Sequence, residues 1–308
     1  MKQLLKRALS GGFLLGLSKG NRFIFCYHDV SDPAAPHHSA RYSTTPERFK
    51  EHVALFTELF TVLPLDALVS EQPLPAGKNY AAITFDDGFR SVLTHAWPEL
   101  KTARLPCTVF LNSTAVLHNH GWITDLVLAA DDPVFVRGLL AATGLGEDDA
   151  TDPIGAIMDR GRFPPGFAQR PMLRSQGKIY LDRDEVAQLH RDGVAFGDHG
   201  RDHCVLSRTE DAILEVEVSA GAGLIADITG AVPRHFALPF GKRDHYDART
   251  LPVLERNGYS HVYDTSMDRL RPEHSAAGAT LPRISVMNET VGQLRFLINR
   301  TLLRRYDL

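Results

Sequence analysis

The sequence lacks the features that mark several common classes of protein. Its three cysteines, Cys26, Cys107 and Cys204, are odd in number and widely spaced, which argues against a disulfide framework and a thiolate zinc cluster. The formal net charge is only −3, so nothing suggests electrostatic attraction to nucleic acid. We find no internal repeat and no low-complexity tract. The 308 residues are 44% hydrophobic, which is enough to bury a large core.

Residues 1–21 form a separate N-terminal segment. Three basic residues precede the short apolar run 13–17, as in a signal peptide. However, two glycines interrupt the segment, no small-x-small cleavage site follows, and the run is too short to cross a bilayer. We interpret it as an amphipathic segment that either packs on the domain or lies on a membrane surface. Without an export signal we expect a cytoplasmic protein, with peripheral contact at the inner membrane face as the alternative.

The rest of the chain alternates between strand and helix patterns. Such alternation predicts parallel β/α units, and an α/β barrel commonly has about this length as one domain. We therefore predict parallel β/α units over residues 22–308, in one large domain or two small ones, with an insertion at about 121–180 where partly helical, acidic and Pro/Gly/Arg-rich pieces break the rhythm. The predicted strands are 22–27, 60–63, 80–85, 106–111, 193–197, 235–238, 259–263 and 281–286.

Two helices in this pattern are predicted in more detail. One runs from Phe89 to Leu100. The other is long, from about Glu210 to Thr229. Apolar residues at helical spacing predict the buried side of the long helix, namely Ile213, Val216, Leu224 and Ile228.

The strand at 80–85 ends on two adjacent carboxylates, Asp86 and Asp87, followed by Gly88. Two like charges at a strand end repel, so either a cation compensates them or one takes up a proton at higher pH. In isolation the motif would be a turn in which Asp86 caps a helix and Gly88 reverses the chain.

Polar residues also follow other predicted strands, and these make a site more plausible than a turn. The carboxyl ends of parallel strands meet at one mouth. His199 and His203 are four residues apart, so one helical turn would place both imidazoles on the same face. Two histidines and one aspartate leave a coordination position for water, as in a catalytic zinc site. The second aspartate would stay free as a base.

Three segments together resemble a known family. They are Thr84-Phe85-Asp86-Asp87-Gly88, then Gly197-Asp198-His199 with His203, then Pro239-Phe240-Gly241. In this order they resemble the polysaccharide deacetylase family, the NodB-homology domain of the carbohydrate esterase type. Tyr27-His28-Asp29-Val30 resembles the opening strand of its bacterial exopolysaccharide members. The resemblance covers roughly Phe23 to Val286 apart from the insertion, and it implies a distorted (β/α) barrel that hydrolyses N-acetyl groups of sugars.

The resemblance also implies roles for individual residues. Asp86 would be the general base that deprotonates the attacking water. Asp87, His199 and His203 would bind a divalent metal ion, with zinc expected. The backbone N–H of Phe240, within Pro239-Phe240-Gly241, would stabilise the oxyanion of the tetrahedral intermediate. The substrate would be an N-acetylated saccharide.

The sequence departs from the family pattern at three points. Gly200 stands where a serine or threonine usually follows the first histidine. Ala237 stands where the family has the arginine that orients the catalytic aspartate, and Arg283 on the last strand is the candidate substitute. No clear Leu-x-His motif supplies the usual general acid. His28 and His274 are the candidates, and His28 is better placed because it ends a core strand.

Several alternatives stay open at this stage. Trp122 could contact sugar, whereas Trp97 is expected in the core. Asp198 either supports His199 or caps the following turn, Asp264 is expected to be structural, and Cys204 is expected to be a core thiol. The leading hypothesis is deacetylation of a saccharide in cell-envelope or exopolysaccharide metabolism. The alternatives are hydrolysis of small cyclic amides or imides on the same fold, and a non-catalytic barrel that binds glycan.

Overall fold

The fold is built on a parallel sheet whose eight main strands curve into a nearly closed barrel. The computed structural model describes residues 15, 18–170, 172, 177–275 and 278–303. The strands are β1 (Arg22–Tyr27), β2 (Asp29–Val30), β3 (Ser43–Thr44), β4 (Thr61–Val62), β5 (Tyr80–Phe85), β6 (Thr108–Leu111), β7 (Ala195–Asp198), β8 (His235–Ala237), β9 (His261–Asp264), β10 (Leu281–Pro282) and β11 (Ile284–Ser285). The main strands follow one another around the barrel in the order β11-β1-β5-β6-β7-β8-β9-β10. The predicted distorted (β/α) barrel is confirmed.

The barrel closes through one short segment, residues 281–285. Its first half pairs with β9 and its second half with β1, and only Arg283 separates the two halves. The N–H of Arg283 donates to the carbonyl oxygen of Asp264 at 3.1 Å. The single predicted strand 281–286 is therefore interrupted at Arg283.

Alternate residues of the strands fill the barrel and cover its outside. Ile24, Ala82, Phe110, Ala237 and Tyr263 come from five different strands and form one cluster, which the barrel interior brings together. The neighbouring residues on the strands pack outward against the helices. Both faces of each strand are buried, which explains why these segments read as continuous apolar runs.

The helices alternate with the strands as predicted. Helix α1 begins with Pro46 in its first turn, and the Thr45 side chain accepts the Arg48 N–H at 3.3 Å. The helices are α1 (Pro46–Leu59), α2 (Leu65–Val69), α3 (Trp97–Ala103), α4 (Ser113–His118), α5 (Trp122–Leu128), α6 (Pro133–Ala142), α7 (Pro153–Arg160), α8 (Arg183–Arg191), α9 (Asp211–Thr229), α10 (Thr250–Arg256) and α11 (Val291–Leu303). A π-helical turn, Val92–Ala96, leads into α3 where a helix from Phe89 to Leu100 was predicted.

The predicted buried side of α9 is only partly correct, because Leu224 is buried and Ile228 packs against the core, whereas Val216 is exposed. Val216 is 37% exposed, and the helix instead buries Leu214, Glu217, Val218, Gly221, Leu224 and Ile225. The reason is a close contact with the strand end of β7. A side chain at Gly221 would lie 2.1 Å from the Asp198 carboxylate, so only glycine lets the helix approach there.

The insertion lies between β6 and β7 and packs near the carboxyl ends of the strands. Its helices share a hydrophobic cluster that includes Trp122, Leu139 and Phe163 and extends to Cys204 and Val205 after β7. Phe240, after β8, packs against the same cluster. The three cysteines are free and buried, as expected.

The N-terminal prediction falls largely outside the described residues. Of residues 1–21, only Leu15 and 18–21 are described. Leu15 is buried, and its carbonyl oxygen accepts a hydrogen bond from Asn79 Nδ2 at 3.1 Å. None of the described helices has the length and apolar character needed to cross a membrane.

Candidate metal centre and active site

Asp87, His199 and His203 converge at the carboxyl end of the barrel. Each offers one ligand atom, and these atoms all lie within 4.8 Å of one another. The Nε2 atoms of His199 and His203 lie 3.5 Å and 3.3 Å from Oδ1 of Asp87. The structure therefore brings together the three residues that the sequence suggested as metal ligands.

His199 is held in the form that can bind a metal. Its Nδ1 lies 2.8 Å from the carbonyl oxygen of Ala237, and because a carbonyl only accepts, Nδ1 carries the proton. The lone pair is then on Nε2, which is buried and has no hydrogen-bond partner. Burial lowers the pKa of His199 to about 4 and that of His203 to about 3, so both rings are neutral near pH 7.

The segment from His199 to His203 is a loop, not the helical turn that the spacing suggested. Gly200 has φ +83° and His203 has φ +55°, so the backbone leaves the right-handed helical region at both points. The Gly200 N–H donates to Oδ1 of Asp198 at 2.8 Å. Asp198 therefore caps this turn and does not contact the His199 ring. A serine or threonine at position 200 would be strained at that φ.

The two adjacent aspartates have different partners because the backbone turns between them. Asp87 has φ +69° and Gly88 has φ +75°. Arg283 binds Asp86 with two hydrogen bonds of 2.7 Å, Nη1 to Oδ1 and Nη2 to Oδ2. Burial is the largest single influence on the pKa of Asp86 and would raise it, but the charge and hydrogen bonds of Arg283, together with the nearby histidines, hold that pKa well below its usual range. Burial raises the pKa of Asp87.

Arg283 thus takes the place that the sequence suggested for it. The thiol of Cys26 also donates to Oδ2 of Asp86 at 3.3 Å. Asp264 lies behind this pair, where its carboxylate accepts hydrogen bonds from Ser266 and Thr280, as expected of a structural residue.

A cleft of about 280 Å³ opens above the ligands. His28, Asp86, Asp87, His203 and Phe240 all line it, so His28 is within the site. His274 does not line this cleft. It lies beside Arg22 at the amino end of β1, whereas the cleft lies at the carboxyl end of that strand. The expectation that His274 could be the acid is therefore wrong.

Phe240 lies at the turn Pro239-Phe240-Gly241 after β8. Its φ is +61°, and its ring packs edge-on against His203 with the centroids 4.4 Å apart. The carbonyl of Phe240 accepts a hydrogen bond from Thr265 Oγ1 at 2.8 Å. Among the residues that the structure describes, none accepts a hydrogen bond from the Phe240 N–H, which leaves this donor free for a ligand.

Two residues of the insertion hold the chain around His203. The indole Nε1 of Trp122 donates to the carbonyl oxygen of His203 at 3.1 Å. Arg170 pairs with Asp202 at 2.9 Å, and both side chains are buried. Trp122 is only 1% exposed, so it is not the open sugar platform that the sequence suggested. Sequence reasoning missed Arg170, because nothing in its local pattern distinguishes it from surface arginines.

Comparison with known proteins identifies the family. A sequence model described as polysaccharide deacetylase matches residues 74–262. The chain belongs to the polysaccharide deacetylase family. This family is metal-dependent and removes acetyl groups from sugars, and Asp87, His199 and His203 are candidate metal ligands in this member. A search of the curated proteins finds none that matches.

Solved structures with the same fold include two deacetylases and the protein IcaB. Deacetylase PplD from Streptococcus pyogenes is 16% identical with a TM-score of 0.57, and the match covers 93% of this chain and 97% of PplD. IcaB from Ammonifex degensii is 18% identical with a TM-score of 0.54 and coverages of 89% and 95%. The BpsB deacetylase domain from Bordetella bronchiseptica is 16% identical, with a TM-score of 0.55 and coverages of 89% and 98%. At these identities the likeness shows the shared barrel.

Proposed function

We propose that this polysaccharide deacetylase removes N-acetyl groups from a saccharide of the cell envelope or of an exopolysaccharide, with zinc as its metal. The observation that carries the proposal is the convergence of Asp87, His199 and His203 beside a buried, ionised Asp86. Two imidazoles and a carboxylate are a donor set typical of catalytic zinc. The buried Nε2 of His199, which has no hydrogen-bond partner, also fits a divalent ion.

Asp87, His199 and His203 would hold the metal ion, which when bound would polarise the acetyl carbonyl and make water a better nucleophile near neutral pH. Side chains of the protein carry out the proton transfers. Asp86 accepts the proton of the attacking water. Its oxygens can accept about four hydrogen bonds, of which Arg283 uses two and Cys26 one, so capacity for a further one remains. Because Arg283 keeps Asp86 ionised, the base is in its active form at neutral pH.

Two further groups complete the reaction. The backbone N–H of Phe240 donates to the oxyanion that forms when water attacks the carbonyl carbon. His28 lines the same cleft and protonates the sugar nitrogen as the C–N bond breaks, so that the amine and acetate leave. Arg283 does not touch the substrate. It positions Asp86.

The experiment that tests this function compares two substrates. Zinc-loaded protein is expected to release acetate from N-acetylated chito-oligosaccharides and to leave small cyclic imides intact. Ring opening of imides without acetate release would favour the alternative hydrolase. Neither reaction, together with no bound divalent ion in a metal analysis, would favour a barrel that only binds glycan.

A further inference from the structure

Most of the main strands that end beneath the cleft contribute a side chain or backbone group to the chemistry described above. Two do not: β9, whose last residue Asp264 is structural, and β6, which lies between β5 and β7 and ends at Leu111. The next residue, Asn112, has no role in the chemistry described above. The contributing residues are His28 after β1, Asp86 and Asp87 after β5, His199 after β7, Phe240 after β8, and Arg283 between β10 and β11.

The local structure fixes the orientation of the Asn112 amide. Asn112 is the N-cap of α4, and its Oδ1 accepts the Ala115 N–H at 3.2 Å. Because the oxygen is turned toward the helix, Nδ2 is directed away from it. Asn112 is one of the residues that line the cleft, together with Asp87 and His203.

This amide nitrogen has no partner within the protein. Asn112 is 4% exposed, and its Nδ2 is buried without a hydrogen bond. Buried donors are nearly always paired, so an unpaired one beside a catalytic centre indicates a partner that arrives with the ligand. An amide NH₂ group only donates, so it cannot bind a cation, and its partner must be an acceptor oxygen.

We propose that Nδ2 of Asn112 donates a hydrogen bond to the carbonyl oxygen of the substrate's N-acetyl group. The inference rests on the proposed function. Asn112 lies between the strand ends that carry Asp87 and His199, where the group that undergoes the reaction must enter. A donor at that oxygen binds more strongly as the oxygen gains negative charge, so it lowers the barrier and raises kcat.

Replacement of Asn112 by serine distinguishes hydrogen bonding to the substrate from capping of α4. Asn112→Ser keeps an oxygen that caps α4, because serine is a good N-cap, but it removes the amide donor. Asn112→Asp keeps the shape and the cap while it replaces the donor by an acceptor. The matched control is Asp132→Ser, which changes the N-cap of α6 at an exposed position in the insertion.

Four quantities are measured on each zinc-loaded variant: kcat and KM for acetate release from a chito-oligosaccharide, the zinc dissociation constant, and the unfolding midpoint. For Asn112→Ser we expect kcat to fall about 100-fold, as for removal of an oxyanion donor, with the other three quantities near wild type. We expect at least as large a loss of kcat for Asn112→Asp, and none for Asp132→Ser.

Three results would overturn the inference. They are an unchanged kcat in Asn112→Ser, a rise of KM alone, which would indicate a bond to a sugar hydroxyl, and a loss of zinc affinity that accounts for the lost activity. The activity of wild type shows whether this inference alone fails or the proposed function fails with it. Acetate release by wild type and Asn112→Ser alike contradicts only this inference, whereas no release by wild type contradicts the proposed function as well.

Discussion

Replacement of Arg283 by methionine tests the ion pair beneath the site, because it removes the guanidinium but keeps a long apolar side chain. Arg283 and Asp86 are 0% and 2% exposed, and two hydrogen bonds of 2.7 Å join them. Removal of one partner of such a pair leaves an uncompensated buried charge and costs about 3–5 kcal/mol of unfolding free energy. That loss is a large fraction of the stability of a typical domain.

The chain contains a matched control for this change. Arg295 makes two hydrogen bonds of 2.8 Å to Glu58, but the Glu58 side chain is 60% exposed. An exposed pair of this kind contributes only about 0–1 kcal/mol, so Arg295→Met should be nearly neutral. Two hydrogen bonds join the partners in each pair, so the comparison tests mainly burial. Arg283 makes two further, longer bonds, to the carbonyl oxygen of Asp264 at 3.4 Å and to Thr84 Oγ1 at 3.5 Å.

The effect of Arg283→Met should also depend on pH. In wild type the pKa of Asp86 lies below its usual value, so this carboxylate stabilises the fold above the ordinary aspartate pKa, and that stability is lost as pH falls. Without Arg283, burial is opposed only by the nearby histidines, so we expect the pKa of Asp86 to rise. The free energy of unfolding of the variant then falls as pH rises, because the buried carboxyl loses its proton without a cation beside it. The difference in stability between the variant and wild type should therefore be smaller at acidic pH.

The assay is urea unfolding of chelator-treated protein at pH 7 and pH 5, followed by acetate release after zinc is restored. We expect the large deficit at pH 7, a smaller one at pH 5, and a loss of activity. Arg283→Met/Asp86→Asn should recover stability but not activity, because no charge is left unpaired. If Arg283→Met loses no more stability at pH 7 than Arg295→Met, the account of this pair is refuted.

Two further predictions concern the insertion and a buried histidine. Arg170→Met should weaken zinc binding, because Arg170 holds Asp202 next to His203, whereas Arg160→Met at an exposed pair should leave zinc affinity unchanged in a competition titration. Equal zinc affinities would contradict this role. Burial lowers the pKa of His52 to about 4, so His52 should contribute a loss of up to about 1.4 kcal/mol of stability per pH unit between pH 6.5 and 4, as the unfolded chain takes up the proton first. The buried His199 and His203 add to this slope. His52→Gln should flatten this slope in urea unfolding, and an unchanged slope would exclude His52 as its source.

The barrel and the main site residues could be predicted from the sequence for one physical reason. Strands buried on both faces are continuous apolar runs, and the polar residues that follow them must meet at one mouth. Asp86, Asp87, His199 and His28 all lie in such positions. Arg283 could be proposed because Ala237 stands where the family has its orienting arginine, and the structure places Arg283 at the break in the last strand, paired with Asp86.

Other features depend on tertiary contacts that no local pattern encodes. The inner face of α9 is set by the approach of Gly221 to Asp198, and apolar residues on several sides of the helix did not reveal it. The loop from His199 to His203 depends on the positive φ of Gly200, so helical spacing was misleading there. The sequence did not single out Asn112, and only its buried, unpaired Nδ2 distinguishes it from the N-cap residues of other helices.

The most direct test of the central claim measures acetate release and zinc content on the same samples of wild type and Asp86→Asn. The account predicts that both proteins hold near-stoichiometric zinc, because Asp87, His199 and His203 are intact, and that only wild type releases acetate. An unfolding curve for each sample verifies that both are folded. Full activity in Asp86→Asn would contradict the assignment of Asp86 as the base, and with it the proposed mechanism.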